Sequence, residues 1–137
     1  MTDLEKAREM LHSGRYGNCV LYSREIIHTS KARGIMPMME FLSAGLDLKG
    51  FSAADTVAGK ALALLFAHAG ITAVYADIMS TGAVGVFNSH GIRCGYGKLV
   101  ETIKNRSGDG VCPMEQAVAG IDEPGRAFEV LRGILKM

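Results

Sequence analysis

The sequence predicts a single three-layer α/β/α domain spanning residues 1–137, built on a mixed sheet of four or five strands. Three observations lead there. Short β-rich runs are interleaved with amphipathic stretches, the pattern of a sheet with helices packed on it. Residues 71–96 read as strand, helix, strand, which closes as a right-handed crossover and makes at least those two strands parallel. Residues 52–70 are apolar on nearly every side, so they have to be covered all round.

At the start of the chain, Thr2 and Glu5 make a capping box. Leu4, Ala7 and Leu11 recur at helical spacing and Gly14 supplies the stop, giving an amphipathic lead helix. The runs C-V-L-Y at 19–22 and E-I-I-H-T at 25–29 flank Ser23 and Arg24 and read as an antiparallel hairpin. Residues 30–34 are a basic connector, after which Pro37 opens a short helix carrying Met38, Met39, Phe41 and Leu42. Ser52 and Asp55 resemble a second capping box and Gly70 a stop, so 52–70 is expected to be one buried helix with Lys60 as its single central charge. The run I-T-A-V-Y-A-D-I at 71–78 is a central strand, Ser80 caps a helix reaching Asn88, and 92–96 is the next strand. Leu99, Val100 and Ile103 suggest a short helix over 98–104. Pro113 opens another helix, and Asp122 with Pro124 opens the last, whose Ala127, Phe128, Leu131, Ile134 and Leu135 form one stripe.

Composition narrows the function classes. A net charge of +1 gives no electrostatic pull toward nucleic acid or an acidic membrane. Cys19, Cys94 and Cys112 are odd in number and far apart with no C-x-x-C pair, which argues against a disulfide framework or zinc ribbon and for reduced thiols in a cytoplasmic setting. The charged N-terminus lacks an apolar leader core and no run is long enough for a membrane span.

Polar and glycine residues are densest at 105–117, N-R-S-G-D-G-V-C-P-M-E-Q-A. A flexible loop runs into Cys112, then into Pro113 and Glu115 in the first turn of a helix, whose unpaired amides and dipole favour an anion. Asn105 and Arg106 can hydrogen-bond phosphate or carboxylate, the guanidinium in bidentate fashion. Gly108 and Gly110 permit close backbone approach. Cys112 sits where a helix start favours a reactive thiolate, with His28, His68 or His90 as the bases a fold could bring to it. Glu115 most simply completes a helix cap.

The element order, together with S-K-A-R-G-I-M-P, V-A-G-K-A-L-A-L-L-F, N-R-S-G-D-G and C-P-M-E, resembles a small uncharacterised prokaryotic family of cytidine-deaminase-like fold. Zinc deaminases of that fold hold the metal with H-x-E at one helix start and P-C-x-x-C at the next. This chain has S-A-A-D-T-V-A-G-K at 52–60 and M-S-T-G-A-V at 79–84, with no thiol, imidazole or glutamate in either, so a zinc site is not expected. The resemblance implies a zinc-free relative that uses no cofactor, and the density of polar and glycine residues at helix starts in an otherwise apolar chain points to binding of a small anionic metabolite, nucleotides included. Asn105, Arg106 and the Cys112 helix start would grip the anion, with Asp55 and Lys60 near. Two other readings stand beside it: a thiol enzyme in which Cys112 attacks an acyl or phosphoryl group, and a homodimeric interaction module using the surface of residues 37–42.

Overall fold

A computed structural model describes all 137 residues. Thr2 accepts the Glu5 amide at the start of α1 (Asp3–Ser13), and the Gly14 amide closes its end onto the Leu11 carbonyl. β1 (Cys19–Ser23) and β2 (Ile26–Ser30) pair as an antiparallel hairpin. The turn is Arg24–Glu25, one residue later than expected, and both residues have positive φ, 48° and 71°. That mirror-image turn matches the twist of the strands but suits Asn-Gly far better than two long side chains. Arg24→Asn combined with Glu25→Gly should therefore raise stability by about 1 kcal/mol. An unchanged midpoint in urea denaturation would show that the turn carries no strain.

α2 (Met36–Ser43) starts one residue before the anticipated Pro37, which lies in its first turn. Its Met38 and Met39 are fully buried, and Phe41 and Leu42 pack against the main core. Pro37, Met38 and Met39 are thus interior and offer no exposed face, which leaves Glu40 exposed and Phe41 and Leu42 half-buried on the surface expected for a dimer.

The largest departure falls at residues 52–70, which do not form one helix. β3 (Ser52–Ala58) is a strand, Gly59 is extended, and α3 (Lys60–Ala69) starts only there. Ser52 and Asp55, spaced like a cap, are ladder residues facing Tyr22 and Cys19 of β1. Alanine favours helices in isolation, but a strand sandwiched between two helical layers needs small side chains, and Ala53, Ala54 and Ala58 are all fully buried.

β4 (Ala73–Ser80) and α4 (Thr81–Ser89) come next, with the Ser80 hydroxyl accepting the Ala83 amide at 3.1 Å as the expected cap. β5 (Arg93–Val100) runs on through Lys98, Leu99 and Val100, which pair with Ile78, Met79 and Ser80. The helix expected at 98–104 is therefore absent, its apolar spacing being that of an edge strand and the loop after it. α5 (Pro113–Val118) and α6 (Pro124–Leu135) close the chain. Glu123, rather than Asp122, caps α6 by accepting from the Gly125 and Arg126 amides, and these bonds hold its carboxyl below the usual range.

The sheet order is β2-β1-β3-β4-β5, antiparallel for β2-β1-β3 and parallel for β3-β4-β5, so five mixed strands carry helices on both faces. On one face α1 buries Ala7 and Leu11 against Val20, Tyr22, Ala54 and Tyr75. On the other, Leu62, Leu64, Leu65 and Phe66 of α3 centre a larger core shared with α2, α4 and α6. No helix is long and apolar enough to cross a membrane.

Candidate functional site

The three parallel strands end side by side, and the segments leaving their carboxyl ends meet in one place. After β3 comes the first turn of α3, at Lys60. β4 ends in Ser80 and the start of α4, and β5 leads into Glu101, Thr102 and Ile103. These residues, with Gly82, Val111, Glu115, Gln116 and Ala119, line a cleft of about 520 Å³. A second hollow of about 500 Å³ adjoins it, sharing Lys60 and Gly82 and reaching Ser89, His90 and Asp122. Ligand sites in open α/β sheets lie at this location, beyond the carboxyl ends of parallel strands.

The start of α3 already holds an anion from within the chain. Glu115 on α5 accepts the amides of Lys60 (2.7 Å) and Ala61 (2.8 Å) through its two carboxylate oxygens. Two of the orphan donors of the helix's first turn are thereby satisfied across a sequence gap of some fifty residues. Gly59 makes the approach feasible, because a Cβ there would collide with the Glu115 carboxyl and come within 2.8 Å of Ile103 Cγ1. Glu115 is a cap, as its spacing suggested, but for a different helix from its own. Lys60 returns the tie: its ammonium donates to the Ala119 carbonyl at 3.0 Å and lies 3.4 Å from Asp122.

The start of α4 remains open to the cleft. Ser80 satisfies the Ala83 amide, and the Thr81 hydroxyl donates to the Glu101 carbonyl at 3.3 Å, tying the end of β5 to this helix start. The wall thus presents one cation, Lys60, and two carboxylates, Glu101 and Glu115, the second engaged by amides.

Of the residues singled out in the sequence, Lys60 and Glu115 meet here. Lys104 and Val111 form an isolated bridge, with the Asn105 amide donating to the Gly110 carbonyl at 2.8 Å. Arg106, Gly108 and Gly110 are exposed on the loop that this bridge closes and do not line the cleft. Asn105 turns its side-chain amide onto Asp109 at 3.0 Å, within the loop. Cys112 is the half-buried residue before α5, its amide bonded to the Ile103 carbonyl at 2.9 Å. No histidine is aligned with it. His28 stacks between Phe41 and Phe51, His68 lies against Phe128, His90 ends α4, and His12 bonds Asp77.

Asp55 lies away from the cleft lining, inside the sheet. It is 2% exposed, and its Oδ1 accepts the Val57 amide at 3.3 Å while Oδ2 has no partner of ordinary hydrogen-bond geometry. Burial raises its carboxyl to about 7, the Val57 bond and the Cys19 thiol opposing that rise. Burial and the facing carboxyl in turn push the Cys19 thiol well up.

Sequence reasoning missed Glu101, Thr102 and Gln116 as wall residues. Glu101 and Thr102 were hidden inside the helix expected at 98–104. For Gln116 no local signal existed.

The cleft offers an ammonium, hydroxyls, an amide and two carboxylates without thiol or imidazole, and no group of three His, Cys, Asp or Glu side chains is placed to hold a metal.

An α/β/α domain with a polar cleft at the ends of its parallel strands is the class that fold and site define. The chain belongs to the family described as "Domain of unknown function (DUF1893)", whose model matches residues 6–135. It is similar in structure to a DUF1893 family protein from Thermotoga maritima, with a TM-score of 0.85 and 22% identity over 97% of this chain and 90% of that one. A diaminohydroxyphosphoribosylaminopyrimidine deaminase/5-amino-6-(5-phosphoribosylamino)uracil reductase from Thermotoga maritima shows a weak likeness, TM-score 0.43 and 18% identity, over 68% of this chain and 34% of that one. No curated protein matches.

Proposed function

We propose that the protein is a zinc-free member of the deaminase-like folds that binds a small anionic metabolite, nucleotides and sugar phosphates being the first candidates, in the cleft between the starts of α3 and α4. The carrying observation is the convergence of all three parallel strand ends on one cleft of about 520 Å³, of a size suited to a small ligand and carrying the Lys60 ammonium and the Glu101 and Gln116 side chains on its wall. The anionic end of the ligand would lie against the open first turn of α4 and the Lys60 ammonium. Glu101 and Gln116 would take hydroxyl or amino donors from its body, so a phosphorylated or carboxylated molecule rich in donors fits better than a bare anion. The loop of Asn105, Arg106, Gly108 and Gly110 lies outside the lining and takes no part in this reading.

Differential scanning fluorimetry against nucleotides and sugar phosphates tests it. A rise in midpoint is expected for at least one of them in the wild type, largely lost in Lys60→Met and kept in Arg106→Ala. No shift with any of these compounds, or a shift that Lys60→Met leaves intact, would remove this reading.

A further inference from the structure

β5 is an edge strand of eight residues with nothing paired along its outer side. Most of it is exposed, Tyr96 at 43% and Leu99 at 42%. The Arg93 amide donates to the Thr72 carbonyl, toward β4. Backbone groups alternate in direction along a strand, so those of Cys94, Tyr96, Lys98 and Val100 point outward, away from the sheet. An unblocked row of this kind is a template for another strand.

The row is complementary to itself. One antiparallel two-fold register uses all four outward residues: Cys94 opposite Val100 and Tyr96 opposite Lys98, with the axis through Gly97. Every outward amide and carbonyl then has a partner. The same register sets Arg93 opposite Glu101, one residue past the strand, at both ends of the pair. Both side chains are exposed, and neither has an ion-pair partner within the chain. It also places Gly97 against its own copy in a non-hydrogen-bonded position, where the two backbones come closest. Hydrogen bonding and charge are independent requirements, and they select one register. The opposite edge, β2, has five residues and fewer outward groups to offer.

We infer that β5 pairs antiparallel with β5 of a second copy about a two-fold axis at Gly97, joining the two sheets into one and closing Arg93 onto Glu101 across the seam. The contact is isologous, so it closes at a dimer. Glu101 also lines the cleft, so Arg93→Glu, which lies outside the lining, is the arm that reads the seam independently of what the cleft binds.

Sedimentation velocity on the full chain reads the association directly. A dimer is expected, weakened about tenfold or more by Arg93→Glu or by Glu101→Arg, each of which sets like charges opposite one another. The double variant Arg93→Glu/Glu101→Arg restores the attraction and should return to within about threefold of the wild type. Hydrogen exchange supplies a readout that needs no substitution: the amides of Cys94, Tyr96, Lys98 and Val100 should exchange more slowly in concentrated than in dilute protein. A monomer at every soluble concentration overturns the inference, and so does a dimer indifferent to all three variants.

Discussion

Glu115→Ala will cost the fold about 3 kcal/mol, read as a drop in the urea midpoint at neutral pH. The carboxylate makes two charge-assisted bonds, to the Lys60 and Ala61 amides at 2.7 and 2.8 Å, and together these join α5 to the helix at the centre of the core. A charge-assisted bond contributes about 1.5–3 kcal/mol, and the amides left behind lie partly out of water's reach. Gly59→Ala should reach a similar loss by another route, since its methyl group would occupy the space the Glu115 carboxyl fills. Because both changes remove one contact, their combination should cost clearly less than the sum. A loss under about 0.5 kcal/mol for Glu115→Ala would mean that water replaces the cap without penalty.

The second large effect is one of pH. Asp55 titrates at about 7 in the fold because it is buried, against about 3.9 for an unfolded chain. Below about pH 4 the carboxyl is protonated in both states, so it contributes no pH dependence. Between there and about pH 7 the unfolded chain gives up the proton while the folded one keeps it, so stability falls as pH rises; above about 7 both are ionised and the fall levels off. The window of about 3 pH units corresponds to about 4 kcal/mol. Asp55→Asn should flatten this part of the profile and be the more stable protein at pH 8, with the difference nearly gone at pH 4. Parallel profiles for the two proteins would place the ionisation elsewhere.

Much of the fold was written locally. Thr2, Ser80, Pro37 and Pro124 mark helix starts by chemistry that acts within one turn, and each does so here. The β-rich runs at 19–22 and 71–78 are strands, and the helical crossover through α4 leaves β4 and β5 parallel. The layers and the mixed sheet result from that order of elements, while the fifth strand, β3, does not. Residues 52–58 were the failure, and an instructive one. Their alanines and their cap-like Ser52 and Asp55 speak for a helix, while only contact with layers on both faces makes small side chains the requirement of a strand. Gly59, extended between the two, was the one local sign of a break.

The cleft was less legible because its walls come from four separated stretches, at Lys60, Ser80–Gly82, Glu101–Ile103 and Val111–Ala119. The sequence by itself determined that Glu115 would cap a helix, since capping chemistry is a property of the residue. Which helix Glu115 caps, that Asp55 is sealed in the sheet, and that Arg106 stays out on a loop were decided only by tertiary structure. A carboxylate binds whichever unpaired amides the packing brings to it, and burial belongs to the assembled layers rather than to any stretch of chain.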